Sequence, residues 1–484
     1  MAAAPDPAPH SPRVVVVAPM PPEKSAYALA RYSRSPDSVR ESLEWVKTHS
    51  ASKFLDSFYF QYGHASIADL GHCIFCFEGV SELAATEIED EQLWDGQAKS
   101  SRYQDFSRGS VIEPPELRGD ELEIYRQAAG DLMDRYLSLH DELTEVLKAR
   151  IPQPEEMSDG NYRRTIEARA YDVARYLLFL GISTNLGQVT SIRTLEGQMR
   201  RLGASELGEI RSLAREMKQA CGEPPGCVWE PSQGLEPLAP TLAKYAEPDA
   251  YRRATYQRMK DWAAQNVSYP STADLPDVDL VRPTDPLDEI AATWLYSATS
   301  APFRVILDDV SGWSIARKRE ILDVALEGKE RREELLREFR SGYAYVFDIV
   351  CDIGAYRDMH RHRRCQQIRQ EFTSALGFET PELIVEAGLE ERYFGDMQAV
   401  AEARRALPAG AAQYLLPFAT RCRSLYKMDF AEAEYISRVR SGVKGHISYR
   451  KVAWEMRERI IEREPHLGEL IHATSPDVED PLTR

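Results

Sequence analysis

The chain repeats itself, and that repetition restricts what its 484 residues can build. Prolines and glycines thicken between Cys221 and Pro286, in "CGEPPGCVWEPSQGLEPLAP" and "SYPSTADLPDVDLVRPTDP". This is the composition of a connector, not of an element interior. One helical stretch, "YRRATYQRMKDWAAQ", interrupts it. The flanking halves carry similar features in the same order. "RVVVVAPMPPEKSAYALARYSRSPDS" opens the first and "VDLVRPTDPLDEIAATWLYSATSAP" the second, each a β-rich run, a proline turn and a helix. "GHCIFCFEGVS" (71–81) and "YAYVFDIVC" (343–351) both read as strands. Arg201 stands thirteen residues before Ala214, as Arg440 stands thirteen before Ala453. Upstream, "SIRTL" (191–195) is matched with "RCRSL" (421–425).

The expected architecture is α+β: two tandem repeats, each with long helices packed on a mixed or antiparallel sheet, paired as a pseudo-dimer within one chain. Their expected bounds are 13–222 and 276–475. Residues 223–275 form the connector with its short helix, and 1–12 and 476–484 are tails.

Charge and composition remove several classes of function. A formal net charge of -17 argues against a nucleic-acid binder, whose footprint is broadly basic. No apolar run approaches the roughly 18 residues of a membrane helix, so no membrane partner is expected. "MAAAPDPAPHSPR" has neither a basic n-region nor a hydrophobic core and reads as a disordered tail, not a secretory signal. Seven cysteines at scattered spacing give no disulfide framework and fit a reducing cytoplasm. Cys73 and Cys76 fall within a strand-like "HCIFCF", which makes them core residues and not a redox pair.

Against this acidic background, "HRHRRCQQIRQ" (360–370) concentrates positive charge directly after an apolar strand. Arg361 and Arg363 flank His362, and guanidinium groups suit phosphates and carbonyl oxygens. A metal set of His360, His362 and Cys365 is disfavoured by the neighbouring arginines. A solvated basic patch is the plain alternative. In the first half, "YGHASIAD" places His64, Ser66 and Asp69 before a strand, where they can hold a cofactor or cap a helix. "GQAKSSRYQDF" sets Ser100, Ser101 and Arg102 in a polar segment suited to a phosphate. No nucleophile elbow, phosphate-binding loop, zincin helix or dinucleotide fingerprint is present. An enzyme of this composition needs a cofactor for its hard chemistry.

Taken together, these segments resemble the flavin-dependent thymidylate synthase family, whose members carry a "GH-x-[ST]-x-x-E" segment, a strand, and a helix leading to "RHR-x(7)-S-x-R-Y". A late helical region with "N-x-R-S-L" and a further arginine follows. The first half resembles the family at "GHASIAD", "CFEGVS" and "SSRY", but has Asp90, Glu91 and Gln92 where "RHR" belongs. The second half has "RHR" but Glu371 in place of the serine. Each half keeps what the other lacks. In the family, flavin and nucleotide sites lie at subunit interfaces, so a duplicated chain needs only one intact composite site.

The resemblance implies reductive methylation of dUMP to dTMP, with FAD as cofactor and NADPH and methylenetetrahydrofolate as co-substrates. It assigns the dUMP-like nucleotide to Ser100, Arg102, Arg201, Arg361 and Arg404. Arg201 is the catalytic arginine that stabilises the anion developing on the uracil ring. Flavin falls to His64, Ser66, Asp69, Arg361, His362 and Arg363, with Arg193, Arg423 and Arg440 matching further family positions. It also implies a homodimer of the duplicated chain, imitating the family's tetramer. Some positions depart from the pattern. The Asn-Glu pair before the serine is replaced by Gln97, Ala98 and Lys99 in one half, and by Ile368 and Arg369 in the other. A glutamine expected three residues before "RHR" is Asp358, and the late asparagine is Ser191 or Arg421. These departures point to an altered pyrimidine substrate or to a non-catalytic flavin- or nucleotide-binding scaffold.

Overall fold

The computed structural model describes residues 20–33, 39–56, 65–101, 106, 111–226, 236–330, 333, 335–480 and 482. These fall into two compact units. The smaller comprises 1–73, 190–196 and 216–246, and the larger 74–189, 197–215 and 247–484. This division runs across the first half of the sequence, not between the halves. The residues expected to form the N-terminal tail, 1–12, lie outside the described residues.

In the smaller unit, the helix Pro22–Tyr32 starts with proline at its first position and is tied down by Glu23. That carboxylate accepts from the backbone N–H groups of Thr241 and Leu242 at 2.6 and 2.7 Å. Burial pushes its pKa up while these two donors oppose the shift.

The larger unit carries nearly all of two sheets. The first is built from β1 (His72–Ser81), β2 (Trp94–Ala98) and β3 (Ser183–Ser191), in the order β1-β3-β2. The second is antiparallel and built from β4 (Val278–Val281), β5 (Tyr345–Asp352), β6 (Gln366–Arg369) and β7 (Arg421–Met428), in the order β4-β5-β7-β6. β1-β3-β2 and β5-β7-β6 thus share one pattern. In each, a short helix follows the leading strand: Glu82–Glu89 after β1 and Ile353–Met359 after β5.

β5 is buried along its whole length because both faces are covered. Tyr345, Phe347, Ile349 and Cys351 join the main core, while Val346 faces a second cluster with Val281, Ile368 and Leu425. Helices Ala250–Asn266, Pro286–Ala298, Phe303–Ser311 and Ile315–Leu326 supply that second cluster. The helix expected inside the connector is therefore a packed element, burying Tyr251, Met259 and Ala263.

The halves of the sequence meet along a backbone seam. Leu180 N–H donates to Leu416 O at 3.1 Å, and Phe418 N–H donates to Leu178 O at 2.6 Å. Gly181 N–H reaches Tyr414 O at 2.6 Å and Ala419 N–H reaches Tyr176 O at 3.1 Å, with Phe179 and Pro417 paired at the centre. Interchanging the halves ("YLLFLG" with "YLLPFA") maps each bond onto its mate, the signature of an isologous contact. The correspondence spreads outward. Glu82 and Leu83 donate to Ile182 and Leu180, just as Ile353 and Gly354 donate to Thr420 and Phe418. Tyr125 Oη bonds Ile112 O at 2.6 Å, and Tyr393 Oη bonds Glu379 O at 3.0 Å. One apolar cluster runs through both halves, with Tyr125, Leu132 and Tyr136 of the long helix Gly119–Arg150 beside Tyr393, Met397 and Val400 of the helix Glu390–Arg405.

Two readings of the sequence change here. "SIRTL" starts a helix, with the Ser191 hydroxyl accepting from Thr194 N–H at 3.2 Å, whereas "RCRSL" is strand β7. The counterpart of Ser191 is Asp429, which caps Phe430–Arg440 through Glu432 N–H. Cys76 is exposed and only Cys73 is buried, because residues three apart on a strand point to opposite faces.

Gly181 is where the seam is tightest. A Cβ there would lie 2.4 Å from Tyr125 Oη and 3.0 Å from Tyr414 O. Gly181→Ala is expected to destabilise the chain by roughly 1–3 kcal/mol through overpacking, read as a lowered denaturant midpoint.

Candidate functional site

The basic triplet sits in a turn. Helix Ile353–Met359 is capped by the Asp352 side chain, which accepts from Ala355 N–H, and it ends at His360. The chain then turns through Arg361, His362 and Arg363 into β6. The turn is pinned by Gln367 Nε2, which donates to His362 O at 2.7 Å, and by Cys365 Sγ, which donates to the same carbonyl at 2.9 Å. His360 Nδ1 lies 2.8 Å from Gln367 Oε1. Among the described residues no group of histidines, cysteines and carboxylates is arranged to hold a metal.

Around this turn the two halves of the sequence contribute to one cluster. Ser101, 4% exposed, accepts from Arg357 Nη1 at 3.3 Å and Arg175 Nη1 at 3.5 Å. Arg175 is fully buried at the seam, with Nη1 3.5 Å from Asp358 Oδ2. Its Nε and Nη2, and the Nε of Arg361, have no hydrogen-bond partner among the described residues. Glu82 lies beneath, 2.7 Å from Arg357 Nη2. Burial raises the Glu82 pKa against the pull of Arg357 and Arg361. Buried donors without partners cost stability unless a ligand or water takes them up. Two arginines meeting at a buried serine, with a spare donor of Arg361 on the adjoining turn, are suited to an oxyanion.

The corresponding place on the other side of the seam is a closed ionic cluster. Arg201 Nε donates to Glu91 Oε1 at 2.9 Å and its Nη2 to Glu87 O at 2.8 Å, with Asp90 3.9 Å away. Arg337 forks onto Asp90, its Nη1 donating to Oδ1 at 2.7 Å, and Arg369 donates to Glu87 Oε1 at 2.7 Å. Three carboxylates and three guanidinium groups balance. Burial alone would raise the Asp90 pKa, but Arg337 first and Arg201 second hold it well below the usual carboxylate range. Burial alone would lower the Arg201 pKa, and Glu91, Asp90 and Glu87 carry it above the usual value.

Interchanging the halves takes Glu91 to His362, and His362 likewise contacts a late-helix arginine, although Arg440 stands eleven residues after its cap Asp429 and Arg201 ten after Ser191. Arg440 Nε donates to His362 Nε2 at 2.8 Å. The late arginine beside "RHR" is therefore Arg440, while Arg201 lies in the acidic cluster.

The other sequence-derived candidates separate. Arg363 pairs with the exposed Asp95 at 2.6 Å and lies over the Trp94 ring. Arg423 is turned into the far face of its sheet, where it donates to Asp348 Oδ2 at 3.0 Å alongside Phe303 N–H. Arg404 Nε donates to Ala412 O at 2.9 Å, and burial lowers its pKa. In the smaller unit Asp69 and Arg193 form a half-exposed ion pair at 3.2 Å, and Ser66 is exposed. Ser100 is half-buried beside Ser101. His64 and Arg102 lie outside the described residues. Sequence reasoning missed Arg175, although aligning "ARYLLFLG" with "AQYLLPFA" would have set it against Gln413 as a difference between the halves.

The sequence model of the thymidylate synthase complementing protein matches residues 15–223 and 342–466, one span in each half. The chain belongs to this family, the flavin-dependent thymidylate synthases. Family membership agrees with the two segments that carry "SSRY" and "RHR". A UPF0159 protein of Chlamydia muridarum is 26% identical over 432 residues, covering 85% of this chain and 78% of the relative. A UPF0159 protein of Thermoplasma acidophilum is 24% identical over 485 residues, covering 92% of this chain and 93% of its own. Among solved structures, the flavin-dependent thymidylate synthase ThyX from Helicobacter pylori complexed with FAD and dUMP matches at 18% identity. That match covers 41% of this chain and 89% of that one, with a TM-score of 0.26.

Asp90→Asn leaves Arg337 without its fork partner and is expected to cost roughly 3 kcal/mol at neutral pH, read as a denaturant midpoint. Because the Asp90 pKa is depressed on folding, its contribution is present above the unfolded value of about 3.9. It fades as pH falls through the folded value, so wild type and variant should converge in acid.

Proposed function

We propose that the chain is a flavin-dependent thymidylate synthase-like enzyme with one composite nucleotide site, assembled across an internal duplication. The reading is supported above all by one observation: Ser101 and Arg175 from the first half meet Arg357 and Asp358 from the second, and Arg175 and Arg361 carry buried guanidinium donors to spare. The isologous seam supports the duplication, with the two halves acting as a pseudo-dimer. The charge-balanced cluster of Glu87, Asp90, Glu91, Arg201, Arg337 and Arg369 is then the second composite site, closed by its own ion pairs.

In this reading the nucleotide is dUMP or a close relative. Its phosphate takes the free donors of Arg175 and Arg361, with Ser100 and Ser101 beside them and Arg102 adjacent in sequence. Arg440 replaces Arg201 as the arginine that faces the pyrimidine ring, because Arg201 is neutralised by three carboxylates. A guanidinium held near the ring stabilises negative charge developing there, the kind of preorganised donor whose loss costs roughly 10²–10³ in rate. The donor set of Arg361 and Arg363 fits the pyrophosphate of FAD, since the Arg363–Asp95 pair is largely solvated and weak. His362 is less suited, with Nε2 committed to Arg440. Bound FAD would relay reducing equivalents, with NADPH as reductant and methylenetetrahydrofolate as carbon donor. Asp358, a carboxylate against Arg175, favours a second reading in which the pyrimidine differs from dUMP.

The test is calorimetric and spectroscopic titration of the FAD-supplied chain with dUMP. One dUMP per chain and a shifted flavin spectrum are expected. Arg175→Gln, which copies Gln413, should weaken binding roughly 10- to 100-fold, the usual worth of a charged hydrogen bond or two. Two equivalent dUMP sites per chain, or no binding, would overturn the single-site reading.

A further inference from the structure

The two late arginines are oriented by different groups. Arg201 is oriented by a carboxylate, Glu91 at 2.9 Å, and Arg440 by an imidazole, His362 at 2.8 Å. Glu91 and His362 occupy matching positions, while Arg201 and Arg440 lie one residue out of step on their helices and Arg201 has further partners in Glu87 and Asp90. His362 is 6% exposed, with Nδ1 3.6 Å from Glu432 Oε1 and the Tyr435 ring edge-on at 5.8 Å. Since Nε2 accepts from Arg440, the imidazole proton belongs on Nδ1, toward Glu432. Among the described residues no carboxylate lies within ion-pair distance of Arg440, whose other neighbour is the Tyr449 ring at 5.7 Å. Arg440 is thus held in place without being neutralised.

We propose that His362 is a positioning residue for Arg440. Its neutral imidazole aims the guanidinium while leaving the positive charge available to the nucleotide, and Glu91 at the matching position is what silences Arg201. The inference rests on the nucleotide reading above. Burial lowers the His362 pKa below the ordinary 6.5, with Arg440 and Arg363 acting in the same direction and Glu432 opposing. Cys365, packed on the same turn, is pushed up by burial and stays a neutral thiol. The imidazole is therefore neutral at physiological pH. Acidification would remove the acceptor and set a second cation against Arg440.

The experiment compares His362→Gln and His362→Glu in the full chain, supplied with FAD and titrated with dUMP from pH 5 to 8. Glutamine keeps a neutral acceptor, whereas glutamate imports the arrangement at Glu91. Expected are a loss of dUMP affinity of roughly 10-fold or more for His362→Glu and at most a few-fold change for His362→Gln, with flavin retained in both. Wild type should lose affinity in acid more steeply than His362→Gln. The phosphate's own ionisation near 6 is common to both proteins and cancels in that comparison. Arg440→Ala should abolish the difference between the two His362 variants. Equal dUMP affinity in wild type and His362→Glu overturns the proposal while leaving the nucleotide reading intact. Loss of flavin from both His362 variants places the imidazole on the cofactor and also overturns it. A wild-type chain that binds no dUMP overturns the nucleotide reading and this inference with it.

Discussion

The antiparallel seam through Phe179 and Pro417 is the constraint from which the rest follows. Four backbone bonds, each worth about 1 kcal/mol net, would not by themselves hold two halves together. Their importance is geometric, since they fix the register in which the flanking elements meet. Arg175 enters the seam one residue before Tyr176, and the helices that lead to the two triplets bond to carbonyls of the same two segments. With that register set, Ser101 meets Arg357 and Arg175, and Glu87 meets Arg369 and Arg201. The apolar cluster shared by both halves then supplies the stabilisation that the seam directs.

The same strand order and matching backbone bonds on the two sides support opposite electrostatics. On one side the carboxylates outcompete water and close the cluster, and each guanidinium there has a partner. On the other, burial raises Glu82 and the donors of Arg175 and Arg361 are left over. The second arrangement leaves three buried guanidinium nitrogens of Arg175 and Arg361 without partners among the described residues, whereas the first is charge-balanced. The backbone does not choose between them. The choice lies in the residues after the short helix, Asp90 and Glu91 against Arg361 and His362.

Much of the fold was legible in the sequence. The strand after "GHAS", the doubly buried "YAYVFDIVC" and the late helices carry local patterns that survive folding. So did the contrast between "DEQ" and "RHR". What the sequence concealed was partnership. Arg201 and Arg440 look alike in one dimension, and only the fold shows that one meets carboxylates and the other an imidazole. Arg423 and Arg404 matched family positions by composition, yet their side chains are taken by Asp348 and by the carbonyl of Ala412. "SIRTL" and "RCRSL" share letters but occupy a helix start and a strand, because the register of β7 is fixed by its pairing with β5 and not by its own sequence. Arg175 was missed because its partners Ser101 and Asp358 lie 74 and 183 residues away in the sequence.

Covalent linkage of two matched halves changes how such a protein can vary. In an assembly of identical subunits every substitution is felt twice, once at each equivalent position, so a residue that helps one surface must not harm its twin. Here Glu91 and His362 occupy equivalent positions and are written separately. In one half a glutamate pairs with Arg201, and in the other an imidazole meets Arg440. Each of these two positions can therefore change without the other changing with it.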